Sequence, residues 1–170
     1  MQILNIKNIE FEKQGKILFK LDKLSINTGD IIGLIGKNGS GKTTLLKYID
    51  DLLKDENNIS SEFLEFGENS LLKKSGGEVV VSKIRGSLLS NVELYLIDEP
   101  STYLDYNNAN KIANLIKRTP ATFCIASHDS NFLNNVCTKL WIIESNTLRD
   151  FNGNYHEYKF QEELATTEYE

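Results

Sequence analysis

The nine residues GKNGSGKTT, Gly36 to Thr44, follow the apolar run IIGLI and precede a segment whose apolar residues recur at helical spacing. That order constrains the chain more than any other feature. Gly36, Gly39 and Gly41 allow the backbone to turn tightly and present several N–H groups into one concavity. The N-terminus of the following helix adds positive potential there, so the loop is built for an anion such as a phosphate. Within the cradle formed by Gly36, Lys37, Asn38, Gly39, Ser40, Gly41, Lys42, Thr43 and Thr44, Lys42 is placed to neutralise β- and γ-phosphates. The Thr43 hydroxyl is placed to bind magnesium. A glycine turn before an ordinary helix is the bland alternative. With 11 glycines in 170 residues, such a match is a rare accident.

The rest of the chain supplies the α/β setting that such a loop requires. Apolar alternation predicts strands at 2–9, 17–26 and 31–35, and Leu45, Leu46, Ile49, Leu52 and Leu53 predict a helix over 42–53. Further strands are expected at 63–66, 93–97 and 122–126, with helices over 78–89 and 107–117. A short helix near 131–136, a hairpin of 140–144 with 147–151 and a polar helix from Tyr155 complete the reading. At 40% hydrophobic and 25% charged, the composition is that of one soluble globular domain. No run of 18 apolar residues occurs, and MQILNIKNIE lacks the apolar stretch of a signal peptide, so a cytoplasmic protein without a membrane span is expected. Cys124 and Cys137 have no metal-ligand spacing and read as buried, reduced thiols. A net charge of −5 argues against a broad basic face for DNA.

A second segment, LYLIDEP from Leu94 to Pro100, is an apolar strand ending in adjacent carboxylates. Such a strand end is common by itself, but beside a phosphate-binding loop it gains chemical meaning. Asp98 is placed to hold magnesium, directly or through water, and Glu99 to orient or deprotonate an attacking water. Phosphoryl transfer to water needs little else beyond positioning and charge neutralisation.

With SGGE at Ser75 to Glu78, DEPSTYLD at Asp98 to Asp105 and SHD at Ser127 to Asp129, the chain resembles the ATP-binding cassette (ABC) ATPases. The four elements occur in that family's order over nearly the whole chain. The resemblance implies ATP and Mg2+ as cofactors and a P-loop NTPase fold. That fold has a parallel-rich central sheet, a small antiparallel β subdomain from the N-terminal strands and a much reduced helical subdomain. It implies that Ser75, Gly76, Gly77 and Glu78 form a signature that caps the γ-phosphate of ATP on a second cassette. Ser101, Leu104 and Asp105 would lie in the loop bridging two cassettes, and His128 would contact the γ-phosphate beside the catalytic Glu99. An aromatic upstream of the P-loop is expected to stack on adenine. Phe11 is the candidate, with Phe19 and a purely core role for both as alternatives.

The departures are informative. Lys74 stands where the family usually has leucine, and Phe66 stands by spacing where it usually has a glutamine. A phenylalanine cannot ligate magnesium or water. Phe66 and Ser75 are close in sequence, where transporter cassettes insert several helices that receive membrane subunits. This shortness and FNGNYHEY at Phe151 to Tyr158 resemble the ABC-F proteins, soluble twin cassettes that act on ribosomes, and most of all their antibiotic-resistance branch. The resemblance implies a first cassette over 1–154 and the start of an interdomain linker helix over 155–170. It also implies a second cassette as partner and ribosome contact through the remainder of the linker. The isolated cassette is then expected to be a weak or inactive ATPase. The alternative is the ATPase subunit of a membrane transporter.

Overall fold

A computed structural model of the chain describes residues 1–56, 58–66, 76–101 and 104–168. Its strands are β1 (Gln2–Lys13), β2 (Lys16–Asn27), β3 (Ile31–Gly36), β4 (Ser61–Glu65), β5 (Leu94–Asp98), β6 (Thr122–Ala126), β7 (Lys139–Glu144) and β8 (Thr147–Asn152). The helices are α1 (Lys42–Glu56), α2 (Gly77–Leu88), α3 (Tyr106–Arg118), α4 (Ser130–Val136) and α5 (Tyr155–Glu168). One sheet holds all these strands in the order β1-β2-β8-β7-β3-β6-β5-β4. From β7 through β4 every neighbouring pair is parallel, and the β1–β2 and β7–β8 pairs are antiparallel.

The apolar runs of the central strands follow from burial on both faces. In β5, Leu94 and Leu96 face a core shared with α1 and the β1–β2 hairpin, whereas Tyr95 and Ile97 face a second core with α2, α3 and α4. In β6, Cys124 and Ala126 divide from Phe123 and Ile125 in the same way. Period-two alternation thus persists, but both phases are apolar. Helix α1 buries Leu45, Leu46, Ile49 and Leu53, the stripe expected from its sequence spacing.

Strand β1 runs further than its alternation predicts, to Lys13, while β2 matches the expected span to within a residue at each end. Asn8 adopts φ +51°, so Ile6 and Ile9, three positions apart, both turn toward the core and the strict alternation is lost. The N-terminal hairpin closes through Gln14 and Gly15, both at positive φ, a turn that matches the strands' twist. It is an edge of the single sheet rather than a separate one. Lys20 pairs with Thr147, and its N–H donates to Asn146 O at 2.9 Å.

Candidate active site

The C-terminal ends of β3, β5 and β6 meet where the glycine loop turns into α1. Gly39 and Gly41 adopt φ +79° and +111°, which only glycine takes without strain. At Gly41 a side chain is excluded twice over, because a Cβ would come 2.7 Å from the Phe19 ring. That ring, fully buried in β2, supports the loop from below. Lys42 is 7% exposed and its Nζ donates to Gly36 O at 2.7 Å, folding the ammonium back over the loop.

Thr43 and Asp98, 55 residues apart, meet with the Thr43 hydroxyl donating to Asp98 Oδ2 at 2.7 Å. The other carboxylate oxygen, Oδ1, is buried and has no hydrogen-bond partner among the described residues. Burial pushes the Asp98 carboxyl up from its ordinary value, and the Thr43 hydrogen bond opposes that push. A buried carboxylate oxygen with a free lone pair beside a hydroxyl fits a small hard cation. No trio of His, Cys, Asp and Glu clusters as a metal set among the described residues. Such a cation would therefore take Asp98 and Thr43 together with oxygens of the bound anion and water.

Glu99 leaves the end of β5 at φ +55°, a conformation uncommon for a residue with a Cβ. Its N–H donates to Ala126 O at 2.8 Å, which anchors the turn on β6. The carboxylate then reaches Lys42 Nζ at 3.6 Å through Oε1 and His128 Nδ1 at 2.9 Å through Oε2. The carboxylate is only 14% exposed, whereas the histidine side chain is 58% exposed. Beneath His128, the buried hydroxyls of Ser127 and Ser101 lie 3.0 Å apart, joining the strand ends after β5 and β6. The Asp129 carboxylate caps α4 by accepting from Phe132 N, so the SHD segment is a helix start held under a histidine.

Gly76 caps α2 with no side-chain hydrogen bond, and a Cβ there would meet open space. Gly77 is crowded instead, since its Cβ would lie 2.6 Å from Asn108 Nδ2 and 3.1 Å from Leu104. Asp105 caps α3 by accepting from Asn108 N, which puts the signature turn against the start of α3. Glu78 occupies the first turn of α2, and Ser75 lies outside the described residues. Phe66 N–H donates to Asp98 O, placing this residue next to the carboxylates, but its ring is buried beneath Lys83 Nζ. The Phe11 ring is also in the core, stacked on Phe19 at 4.6 Å and edge-on to Tyr48 at 5.0 Å. Of the two roles weighed for Phe11 and Phe19, the core one is what these contacts describe.

A cleft of about 780 Å3 opens beside the loop. Gly36 to Ser40 form one wall, β2 residues 16–18 and the Ser145–Asn146 turn another, and His128 and α5 the third. The involvement of α5 could not be foreseen, because it depends on where the β7–β8 hairpin delivers the chain. Ser40 Oγ is buried in the loop wall without a partner among the described residues.

Fold and residues together define an ABC-type ATPase cassette. The ABC transporter family matches residues 19–65, from β2 through β4. Among curated proteins, the ribosome protection protein VmlR of Bacillus subtilis (strain 168) is 33% identical over 197 residues, spanning 98% of this chain and 36% of that protein. The erythromycin resistance ATP-binding protein MsrA of Staphylococcus epidermidis is 29% identical over 177 residues, spanning 87% of this chain and 36% of its own. In fold, the crystal structure of a nucleotide-free ATP-binding cassette from an ABC transporter superposes with a TM-score of 0.73, covering 94% of each chain at 17% identity. With these relatives the chain fits an ABC-F cassette, and it spans about a third of the length of VmlR and MsrA. No helix among the described residues is long and apolar enough to cross a membrane.

Proposed function

We propose that this cassette binds Mg-ATP on the Gly36–Thr44 loop and hydrolyses it when a second cassette closes the site. The observation that carries this is the meeting of Thr43, Asp98, Glu99, Lys42 and His128 at one loop and two strand ends. Lys42 exchanges its Gly36 carbonyl for phosphate oxygens, and the loop N–H groups and the α1 N-terminus hold the remaining charge. Asp98 and Thr43 hold the magnesium ion, which offsets charge on the phosphates when bound. Glu99, held by the anchored turn, orients the attacking water and accepts its proton, with His128 positioned against the same carboxylate.

Among the described residues, a Cβ at Gly76 would meet nothing within 4 Å, an open helix start that supports a role on another cassette's nucleotide, with Leu104 packed behind Gly77. The cassette therefore works in a head-to-tail pair, either with a second cassette of a longer protein or with another copy. Only residues 66–76 separate β4 from α2, leaving little chain for the helices on which a transporter cassette seats membrane subunits. Together with likeness to a ribosome protection protein and an erythromycin resistance protein, this supports a first cassette of a cytoplasmic ABC-F protein acting on the ribosome. Helix α5, buried at Tyr158 but exposing Phe160 and Leu164 beyond it, is the start of the connection to the second cassette. Calorimetric titration with Mg-ATP tests the binding site: binding is expected for the native chain and lost in Lys42→Ala. Unchanged binding by the variant overturns the reading.

A further inference from the structure

Helices α2 and α3 are charged unlike the rest of the chain. They carry Lys83, Arg85, Lys111, Lys117 and Arg118 against one carboxylate, Glu78, in a chain whose net charge is −5. The Asp105 carboxylate at the head of α3 already accepts from Asn108 N. Lys117 donates to Asn135 Oδ1 at 2.8 Å, and Lys83 lies over the Phe66 ring. Arg85 and Arg118 stand in the last turns of their helices, where the helix dipole favours a cation. Arg85 and Lys111, however, also line one groove of about 210 Å3 between the two helices. Both are exposed, and neither has a hydrogen bond or ion pair among the described residues. Ser82 and Asn108 add a hydroxyl and a carboxamide to the groove, and its apolar lining residue, Val81, is buried. Along α3, Asn107, Lys111, Asn114 and Arg118 recur at helical spacing and are all exposed, a stripe about 16 Å long that includes the groove's lysine.

We infer that this α2–α3 face binds the sugar–phosphate backbone of RNA, with Arg85 and Lys111 gripping phosphate at the groove. Backbone phosphates and sugars are held by Arg, Lys, Ser and Asn side chains of this kind, and a surface nearly free of carboxylates does not repel them. A protein partner would instead need aromatic or aliphatic anchors at the centre of the contact, and the groove exposes none among the described residues. The choice of RNA among polyanions rests on the ribosome reading proposed above, whereas the groove itself is separate from the glycine loop. It adjoins the Gly76–Gly77 turn, since Glu78 and Asn108 line it and Asn108 Nδ2 would lie 2.6 Å from a Cβ on Gly77. RNA held here therefore sits beside the turn proposed to meet the second cassette.

The test is fluorescence anisotropy of a labelled RNA stem-loop titrated with the 170-residue chain over a range of salt concentrations. The native chain is expected to bind. The double variant Arg85→Gln, Lys111→Gln should bind about tenfold more weakly at low salt, with the slope of log affinity against log salt reduced by about two. The control Lys7→Gln, Lys23→Gln removes the same charge from two exposed lysines paired across the N-terminal hairpin, and should stay within about twofold of native affinity. Urea midpoints equal to the native one show that both variants fold. Equal loss in both variants marks attraction by net charge alone and overturns the inference, as does native affinity in the groove variant or no binding by the native chain. Tighter binding of polyglutamate than of RNA would assign the face to an acidic protein segment and overturn it as well. Excess Mg-ATP should leave the RNA bound; displacement would place the RNA on the glycine loop and overturn the groove assignment. A chain that binds RNA but not Mg-ATP would count against the nucleotide reading alone.

Discussion

Asp98 is buried, and its Oδ1 has no hydrogen-bond partner among the described residues. A carboxyl raised by burial keeps its full contribution to stability below its ordinary value of 3.8 and loses it as pH climbs through the raised value. Asp98→Asn should therefore stabilise the metal-free fold at neutral pH by about 1 kcal/mol, with the gain vanishing below pH 3.8. Urea midpoints measured in chelator across that range check it, and a destabilised variant at neutral pH would contradict it. The same substitution removes the proposed cation ligand, so stability and nucleotide binding should move in opposite directions. Glu99→Gln should retain ATP while slowing hydrolysis by about two to four powers of ten, read by turnover assay. Equal turnover in both proteins would assign the base elsewhere. Cys124 and Cys137 lie at the other extreme of reactivity: both are free and buried, and burial pushes the Cys137 thiol up to about 12. Neither should react with an alkylating reagent at pH 8 until the protein unfolds, and rapid native labelling would refute that burial.

At the scale of elements, Gly33 of β3 lies tight against the chain that leaves α4 and enters β7. A Cβ on Gly33 would lie 2.7 Å from Cys137 Sγ and 3.0 Å from Leu140 Cδ2. Gly33→Ala should cost roughly 1–3 kcal/mol, a loss visible in denaturant unfolding, because those neighbours are themselves buried. Losing the α4 cap in Asp129→Ala should cost about 1 kcal/mol by the same measurement and loosen the segment bearing His128. Elements of this kind were largely legible beforehand. The β6 boundaries matched the expected residues, and those of β5, α3 and α4 fell within a residue or so, because each is an uninterrupted apolar run or a clear helical stripe. Strand β1 was underestimated because Asn8, at positive φ, breaks its two-residue alternation. Glu99 could be chosen from its neighbours, but its positive φ and its anchoring on Ala126 could not, since both depend on the pairing of distant strands.

At the scale of the whole molecule, the glycine loop leads into α1 and the Gly76–Gly77 turn opens α2. Motif order alone conveyed that much. How far the hairpin integrates into the sheet was not legible, because β2 joins β8 through Lys20 and Thr147, residues far apart in sequence. A site completed by a second cassette, as proposed above, would make turnover a property of pairs, so the rate per chain would depend on encounter. The most direct test is steady-state ATP turnover per chain, measured as chain concentration is raised across several decades, with Glu99→Gln as control. The account predicts a rate per chain that rises with concentration and is lost in the variant. Turnover that is independent of concentration and survives Glu99→Gln would contradict it.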